Sequence, residues 1–276
     1  MSEYLRPRSV EEAVAMIAAN PSYMKLAGAT DLMVDAKHKR EPAGIVDLWR
    51  VPGLHGIAET DRGVAIRAGT TWLEVQRHPA IVATWAPLAA AAREIGALQI
   101  QARATLGGNV GTSSPVGDSL PVLLALDVEL ELASPRGLRR VPYREFCTGY
   151  RKTQLQADEL IVAAHVPATT AKLAWRKVGT RRAQSISKVM GASAIELRDG
   201  IVTDARIALG AVADRPIRVR AVEDAVRGLR PRDAADAARA ALRSAIAPID
   251  DVRSTSVYRR DVAENLVARF FTDLAA

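Results

Sequence analysis

The 276-residue chain has one cysteine, four histidines and 4% aromatic residues, and each scarcity closes off a class of chemistry. A lone Cys147 makes no internal disulfide. With His38, His55, His78 and His165 scattered along the chain, no metal-ligand spacing exists either. Any metal chemistry therefore belongs to a partner. Long apolar runs are missing too. The stretches around 120–128 and 81–92 are cut by Asp127, Thr84 and Pro87, short of the roughly 18 apolar residues a spanning helix needs. No signal peptide opens "MSEYLRPRSVEEAV", so the expectation is a cytoplasmic protein. The net charge of +7 attracts phosphate, but the "KHKR" cluster at 37–40 is short and the arginines from Arg215 to Arg232 are spaced among Val, Ala and Asp. Base-stacking platforms are few. The basic excess reads as a solvated face rather than a nucleic-acid site.

With 49% hydrophobic and 25% charged residues, the chain is long enough for two or three substructures, each with a core. Ser9 followed by Glu12 forms a capping box, and Val10, Ala13, Val14 and Ile17 form one stripe, which predicts a helix over 9–20 ended by Pro21. A strand in "YMKLA", a turn at "GATD", a helix from about Asp31 and a strand in "GIVDLW" make a βαβ-like unit with parallel pairing. From Leu54 the texture changes to "LHGIAETDRGVAIRAG", two strands around a polar turn, with a boundary near 52–54. Helical patterns follow at 72–77 and 81–95, then a glycine-rich segment, a helix at 119–126 and a strand at 127–133. "ELIVAAHVP" completes that sheet. Past Pro167, alternation in "ASAIELRDGIVTDARIALGAV" sets Asp199 and Gly200 in a hairpin turn. Helices at 219–229, 232–246 and 255–274 close the chain.

The segment "QARATLGGNVGTSSPVGDSLP" at 101–121 concentrates glycines, small hydroxyls and Asp118. Glycines let the backbone approach a ligand, so "LGGN" at 106–109 is expected to turn several N–H groups one way as an anion nest. Thr105, Asn109, Thr112, Ser113 and Ser114 add side-chain donors, and Asp118 suits a ribose or ring N–H as acceptor. Such a mixed strip fits a nucleotide cofactor. "AGATD" at 27–31 is a second strand-to-helix turn of the same character. Neither is a G-x-G-x-x-G or P-loop fingerprint, which weighs against a Rossmann site and an NTPase.

The order "KLAGATDLM", "IGALQIQARATLGGNVGTSSPVGDSLPVLLALDVELEL", "GYRKTQLQADELIVAAHVP" and "WRKVGTRRAQSISKV" resembles the FAD-binding (medium) subunit of molybdenum hydroxylases, the family of xanthine and carbon monoxide dehydrogenases. The resemblance runs from about Tyr4 to the terminal "YRRDVAENLVARF". It implies an α+β fold of the vanillyl-alcohol oxidase (PCMH) type. FAD-binding subdomains at 1–53 and 54–170 would precede a C-terminal flavoprotein domain, 171–276, with a three-stranded antiparallel sheet and a helix bundle. It implies FAD contacts at Leu26, Ala27, Gly28, Ala29, Thr30, Asp31 and Leu32, and at Thr105, Gly107, Gly108 and Asn109. Thr112 would bond the diphosphate, Asp118 the ribityl or adenosine part, Ile161 the flavin's polar edge through its backbone, and Lys177 the pyrimidine side. Where many members have "AGGTD", this chain has Ala29, which must accept the glycine's backbone angles with a methyl group.

The same resemblance implies electron relay rather than side-chain acid/base catalysis. A molybdopterin-binding large subunit and a 2Fe-2S small subunit would be partners, NAD+ or another acceptor would take the electrons, and the assembly would be a dimer of heterotrimers. The glycine loops lean toward the purine (xanthine) dehydrogenase branch. One cysteine argues against a cluster in this chain. A basic scaffold or nucleic-acid binder with a degenerate flavin fold is the alternative, and a self-sufficient flavin oxidase ranks behind it. Tyr150 reads either as a residue near the flavin's reactive face or as one packed under the sheet. Arg151, Lys152, Arg181 and Arg182 read as solvated or ion-paired, His165 as a strand histidine and Cys147 as a small buried hydrophobe.

Overall fold

The computed structural model describes residues 3–34, 41–182 and 184–275. It opens on β1 (Glu3–Leu5) and α1 (Val10–Ala19). The Ser9 hydroxyl accepts from the Glu12 amide at 3.1 Å, but the Glu12 carboxylate turns back to the Arg8 amide, so the expected box closes one residue early. Ala13, Val14 and Ile17 form the buried stripe. Next come β2 (Met24–Leu26) and β3 (Gly44–Asp47), paired parallel as expected, with β1 parallel to β3 on its other side. Residues 31–34 are a turn and not the start of a helix. Ala29 stands in the left-handed region at φ 66°, and the Val34 amide closes onto the Asp31 carbonyl three residues back. The rest of that expected helix, and the "KHKR" cluster, lie outside the described residues.

A hairpin of β4 (Ile57–Thr60) and β5 (Gly63–Arg67) leads into six short helices: α2 (Trp72–Arg77), α3 (Pro79–Thr84), α4 (Ala86–Glu94), α5 (Leu98–Gln101), α6 (Leu106–Thr112) and α7 (Leu120–Ala125). The single helix expected over 81–95 is two. Trp85 leaves the helical region at φ −116° and ψ 44°, its indole N–H donates to the Pro167 carbonyl at 3.0 Å, and Pro87 sits in the first turn of α4. Then follow β6 (Glu129–Ser134), β7 (Gly137–Pro142), α8 (Tyr143–Phe146), β8 (Cys147–Gly149), β9 (Lys152–Thr153) and β10 (Leu160–Pro167). The five-stranded sheet runs β4-β5-β10-β6-β7, antiparallel throughout.

Central β10 explains the apolar run "LIVAAHVP", interrupted only by His165, because both its faces are covered. Leu160 and Val162 join the core of α1 and β3, while Ile161, Ala164 and Val166 join the larger core of α2, α4 and α7. Fully buried Trp72, Leu88, Leu106, Leu120 and Phe146 in that larger core each contribute about 1.5–3 kcal/mol of transfer free energy.

The C-terminal sheet, β11 (Lys172–Val178), β12 (Val189–Arg198) and β13 (Ile201–Gly210), is antiparallel and gains a fourth, two-residue strand, β14 (Ile217–Arg218). Asp199 and Gly200, at φ 53° and 74°, turn the β12–β13 hairpin as expected. The helices α9 (Arg220–Val226), α10 (Pro231–Leu242) and α11 (Ser256–Ala275) cover the sheet, with Phe270 and Phe271 in the shared core.

Candidate functional site

The turn after β2 and the segment around α6 lie against each other. A Cβ on Gly28 would come within 1.9 Å of the Arg103 carbonyl oxygen, so only glycine lets the two backbones meet there. Between them opens a cavity of about 760 Å3, within the range of cofactor sites.

The donors face this cavity in a different distribution from the one the glycines suggest. All four amides of the "LGGN" stretch are spent inside the protein: Leu106 on the Thr70 carbonyl, Gly107 on that of Ala68, Gly108 on the Thr105 hydroxyl and Asn109 on the Thr105 carbonyl. The expected anion nest at 106–109 is therefore absent, because the stretch is the capped start of α6 tied to the β5–α2 connection. The first turn supplies what the second does not. The amides of Ala29, Thr30, Asp31 and Leu32 make no hydrogen bond among the described residues, and left-handed Ala29 followed by turn residues is a backbone geometry that collects N–H groups. Unspent side-chain donors join them. The hydroxyls of Thr30 and Thr112 have no hydrogen-bond partner among the described residues, and the Asn109 side chain uses only its Oδ1, accepting from Ser119 at 2.6 Å. The indole Nε1 of Trp72, a cavity-wall residue, is buried without a partner. A concavity rich in free donors, with a backbone nest at one end, suits a phosphate-bearing ligand such as FAD.

Of the residues expected at the site, Ala27, Gly28, Ala29, Thr30, Asp31, Leu32, Thr105, Gly107, Gly108, Asn109, Thr112, Asp118 and Ile161 line the cavity. Leu26, the last residue of β2, is not on the cavity wall, and Lys177 lines a separate cavity. Asp118 and Lys177 meet each other: Lys177 Nζ stands 2.8 Å from Asp118 Oδ2, with the Ser187 hydroxyl donating to Oδ1 at 2.6 Å and the Trp175 indole to the Asp118 carbonyl at 3.1 Å. Burial pushes the Asp118 carboxyl up from its ordinary value, and the ammonium and the Ser187 hydroxyl pull it back. The pair fastens the β11–β12 region to the cavity wall.

Ser113, expected as a donor, is buried outside the cavity and donates to Cys147 Sγ at 3.0 Å. Tyr150 is 63% exposed, on neither the cavity wall nor the underside of the sheet. His165 pairs with Glu131 at 3.0 Å, the strand role expected of it. Arg151 stands 3.5 Å from Asp31, itself a cavity residue. Trp72, Gly69, Ser185 and Ile186 also reach the wall and escape sequence reasoning. Nothing local marks them, because they arrive from the β5–α2 connection and the segment between β11 and β12. Among the described residues no cluster could hold a metal ion, and no helix is long and apolar enough to cross a membrane.

Residues 1–169 match the family model for the FAD binding domain in molybdopterin dehydrogenase, and 174–274 match the carbon monoxide dehydrogenase flavoprotein C-terminal domain. The chain is 34% identical to the xanthine dehydrogenase FAD-binding subunit of Escherichia coli, over 80% of this chain and 78% of that protein. It is 30% identical to the glyceraldehyde dehydrogenase medium chain of Sulfolobus acidocaldarius, over 99% and 98%. Its fold superposes on the carbon monoxide dehydrogenase structure from Hydrogenophaga pseudoflava with a TM-score of 0.92 and 31% identity, covering 97% of this chain and 95% of that one.

Proposed function

Because the chain belongs to the family of FAD-binding subunits of the molybdenum hydroxylases, we propose that it holds FAD in the cavity between its two turns. It would pass electrons from the iron–sulfur clusters of a partner subunit to NAD+ or another acceptor, in the cytoplasm. When bound, FAD supplies a junction between one-electron and two-electron chemistry. The free amides of Ala29, Thr30, Asp31 and Leu32, an observation independent of any resemblance, carry the placement. They hold the diphosphate, with Thr30, Thr112 and Asn109 Nδ2 as supplementary donors. Thr105 and Gly107 shape the wall rather than bond the ligand, Gly108 leaves it open, and Ile161 floors it from β10. Lys177 acts through Asp118: the ammonium holds the carboxylate in place, so the field at the cavity is that of a pair and not of a lone cation. The parts 1–53, 54–170 and 171–276 divide this work between two flavin-clasping subdomains and a C-terminal cover.

The large partner would carry molybdopterin and the small one 2Fe-2S clusters, in a dimer of heterotrimers. Similarity to the E. coli xanthine dehydrogenase subunit favours the purine branch. Co-expression with both partners should give xanthine-dependent reduction of NAD+; turnover of only an aldehyde or of carbon monoxide would overturn that branch. The site itself is tested at Gly108, where an added Cβ meets only the Thr105 hydroxyl oxygen, at 3.0 Å. Gly108→Val should lower FAD retention while the far-UV spectrum stays as in the wild type. Undiminished flavin in that variant would move FAD elsewhere.

A further inference from the structure

A second cavity, of about 850 Å3, lies among β11, the 179–182 turn, α10 and α11. Its wall carries Arg176, Lys177, Arg181, Arg182, Arg239 and Arg269, with Glu94 the one carboxylate among the lining residues. Two further carboxylates reach these cations: Asp273 serves both Arg176 and Arg269, and Asp118 takes Lys177. The local balance stays positive. Among the described residues the guanidinium groups of Arg182 and Arg239 have no hydrogen bond or ion pair. The remaining wall is apolar, with Trp175, Val178 and Leu266.

Cations on a convex surface are each solvated and ion-paired at little cost. Here exposed arginines from a strand, a turn and two helices border one concavity, where their fields add. Guanidinium forks match phosphate oxygens two at a time, and a nearby indole with aliphatic neighbours suits a flat organic group. We propose that this cavity binds a small molecule bearing a diphosphate or triphosphate, with Arg182 and Arg239 as its principal phosphate ligands. The site is distinct from the flavin cavity and does not depend on the flavin assignment. Lys177 and Trp175 link the two, lining this cavity while the ammonium holds the Asp118 carboxylate of the other and the indole donates to its carbonyl.

Calorimetric titration of the full chain with inorganic pyrophosphate, with FAD added in excess, tests the proposal. The expected result is saturable binding tighter than about 1 mM that weakens as salt is raised. The Arg182→Gln/Arg239→Gln double variant, both sites exposed, should bind at least about tenfold more weakly with an unchanged melting temperature. Asn109→Leu, in the flavin cavity, should leave pyrophosphate binding as it was. A parallel titration with ADP separates the sources: equal affinity means the site reads phosphate alone, and tighter ADP means that the apolar wall takes the base, either of which supports the site. No saturable binding, or binding lost in Asn109→Leu but kept in the arginine double variant, would overturn it. A protein that binds pyrophosphate as described yet holds no FAD would sink the flavin assignment and leave this one standing.

Discussion

Ala29 holds the backbone angles of a glycine with a methyl group attached, at φ 66°. The left-handed region costs an L-residue about 1–2 kcal/mol, of which part is offset by the smaller entropy of alanine in the unfolded chain. Ala29→Gly is therefore expected to raise stability by about 1 kcal/mol in urea denaturation while FAD retention holds; a loss of stability would mean the turn is not strained. Asp118 and Lys177 make the opposite case. Alanine at 118 strands a buried ammonium, so Asp118→Ala should cost about 3 kcal/mol, and adding Lys177→Met should recover most of it. Two additive losses would show that the pair is not coupled. That Asp118 bears on the site is legible in the sequence. That its carboxylate is spent on a lysine 59 residues away is not, because no local spacing encodes a contact between β11 and the start of α7. The amides at 106–109 mislead for the same reason: glycines announce a close approach, but whether an N–H ends on a ligand or on Ala68 is decided by tertiary packing.

Among the elements, strong periodicity and caps transferred well. α1 begins at its Ser9 cap, the parallel β2–β3 pair stands where the strand–turn–helix pattern put it, and the Asp199–Gly200 turn closes its hairpin. Short helices with weak periodicity transferred poorly: Trp85 splits one expected helix, and α6 occupies a stretch whose composition reads as loop. Glycine's low helix propensity is outweighed there by the Thr105 cap and by the packing of Leu106 and Val110 in the core. The entry to β10 carries a pH response. Glu159, 2% exposed and on the cavity wall, accepts from Arg139 Nε at 2.6 Å and Nη2 at 2.8 Å and from the Gln156 amide at 2.9 Å. Chiefly through Arg139, its carboxyl is held below the ordinary 4.5. The unfolded chain then binds the proton first on acidification, so this stabilisation is complete above about pH 4.5 and is lost as pH falls through the folded value. Glu159→Gln should melt lower than the wild type at pH 7, with the gap shrinking as pH falls below that range. A gap independent of pH would show that the Arg139 contact contributes nothing through charge.

For the whole molecule, one cysteine in 276 residues leaves no set of thiolates to ligate an iron–sulfur cluster in this chain. The turn after β2 and the α5–α6 connection meet at Gly28, free donors collect on the first of them, and the C-terminal sheet is fastened to the same cavity wall through Asp118 and Lys177. Whether this cavity holds FAD is tested by the visible absorption of the chain purified alone, followed by denaturation and chromatography of the released compound. Near-equimolar FAD, released only on unfolding, is the predicted result. A colourless chain that takes up no added FAD even with its partner subunits present would contradict it.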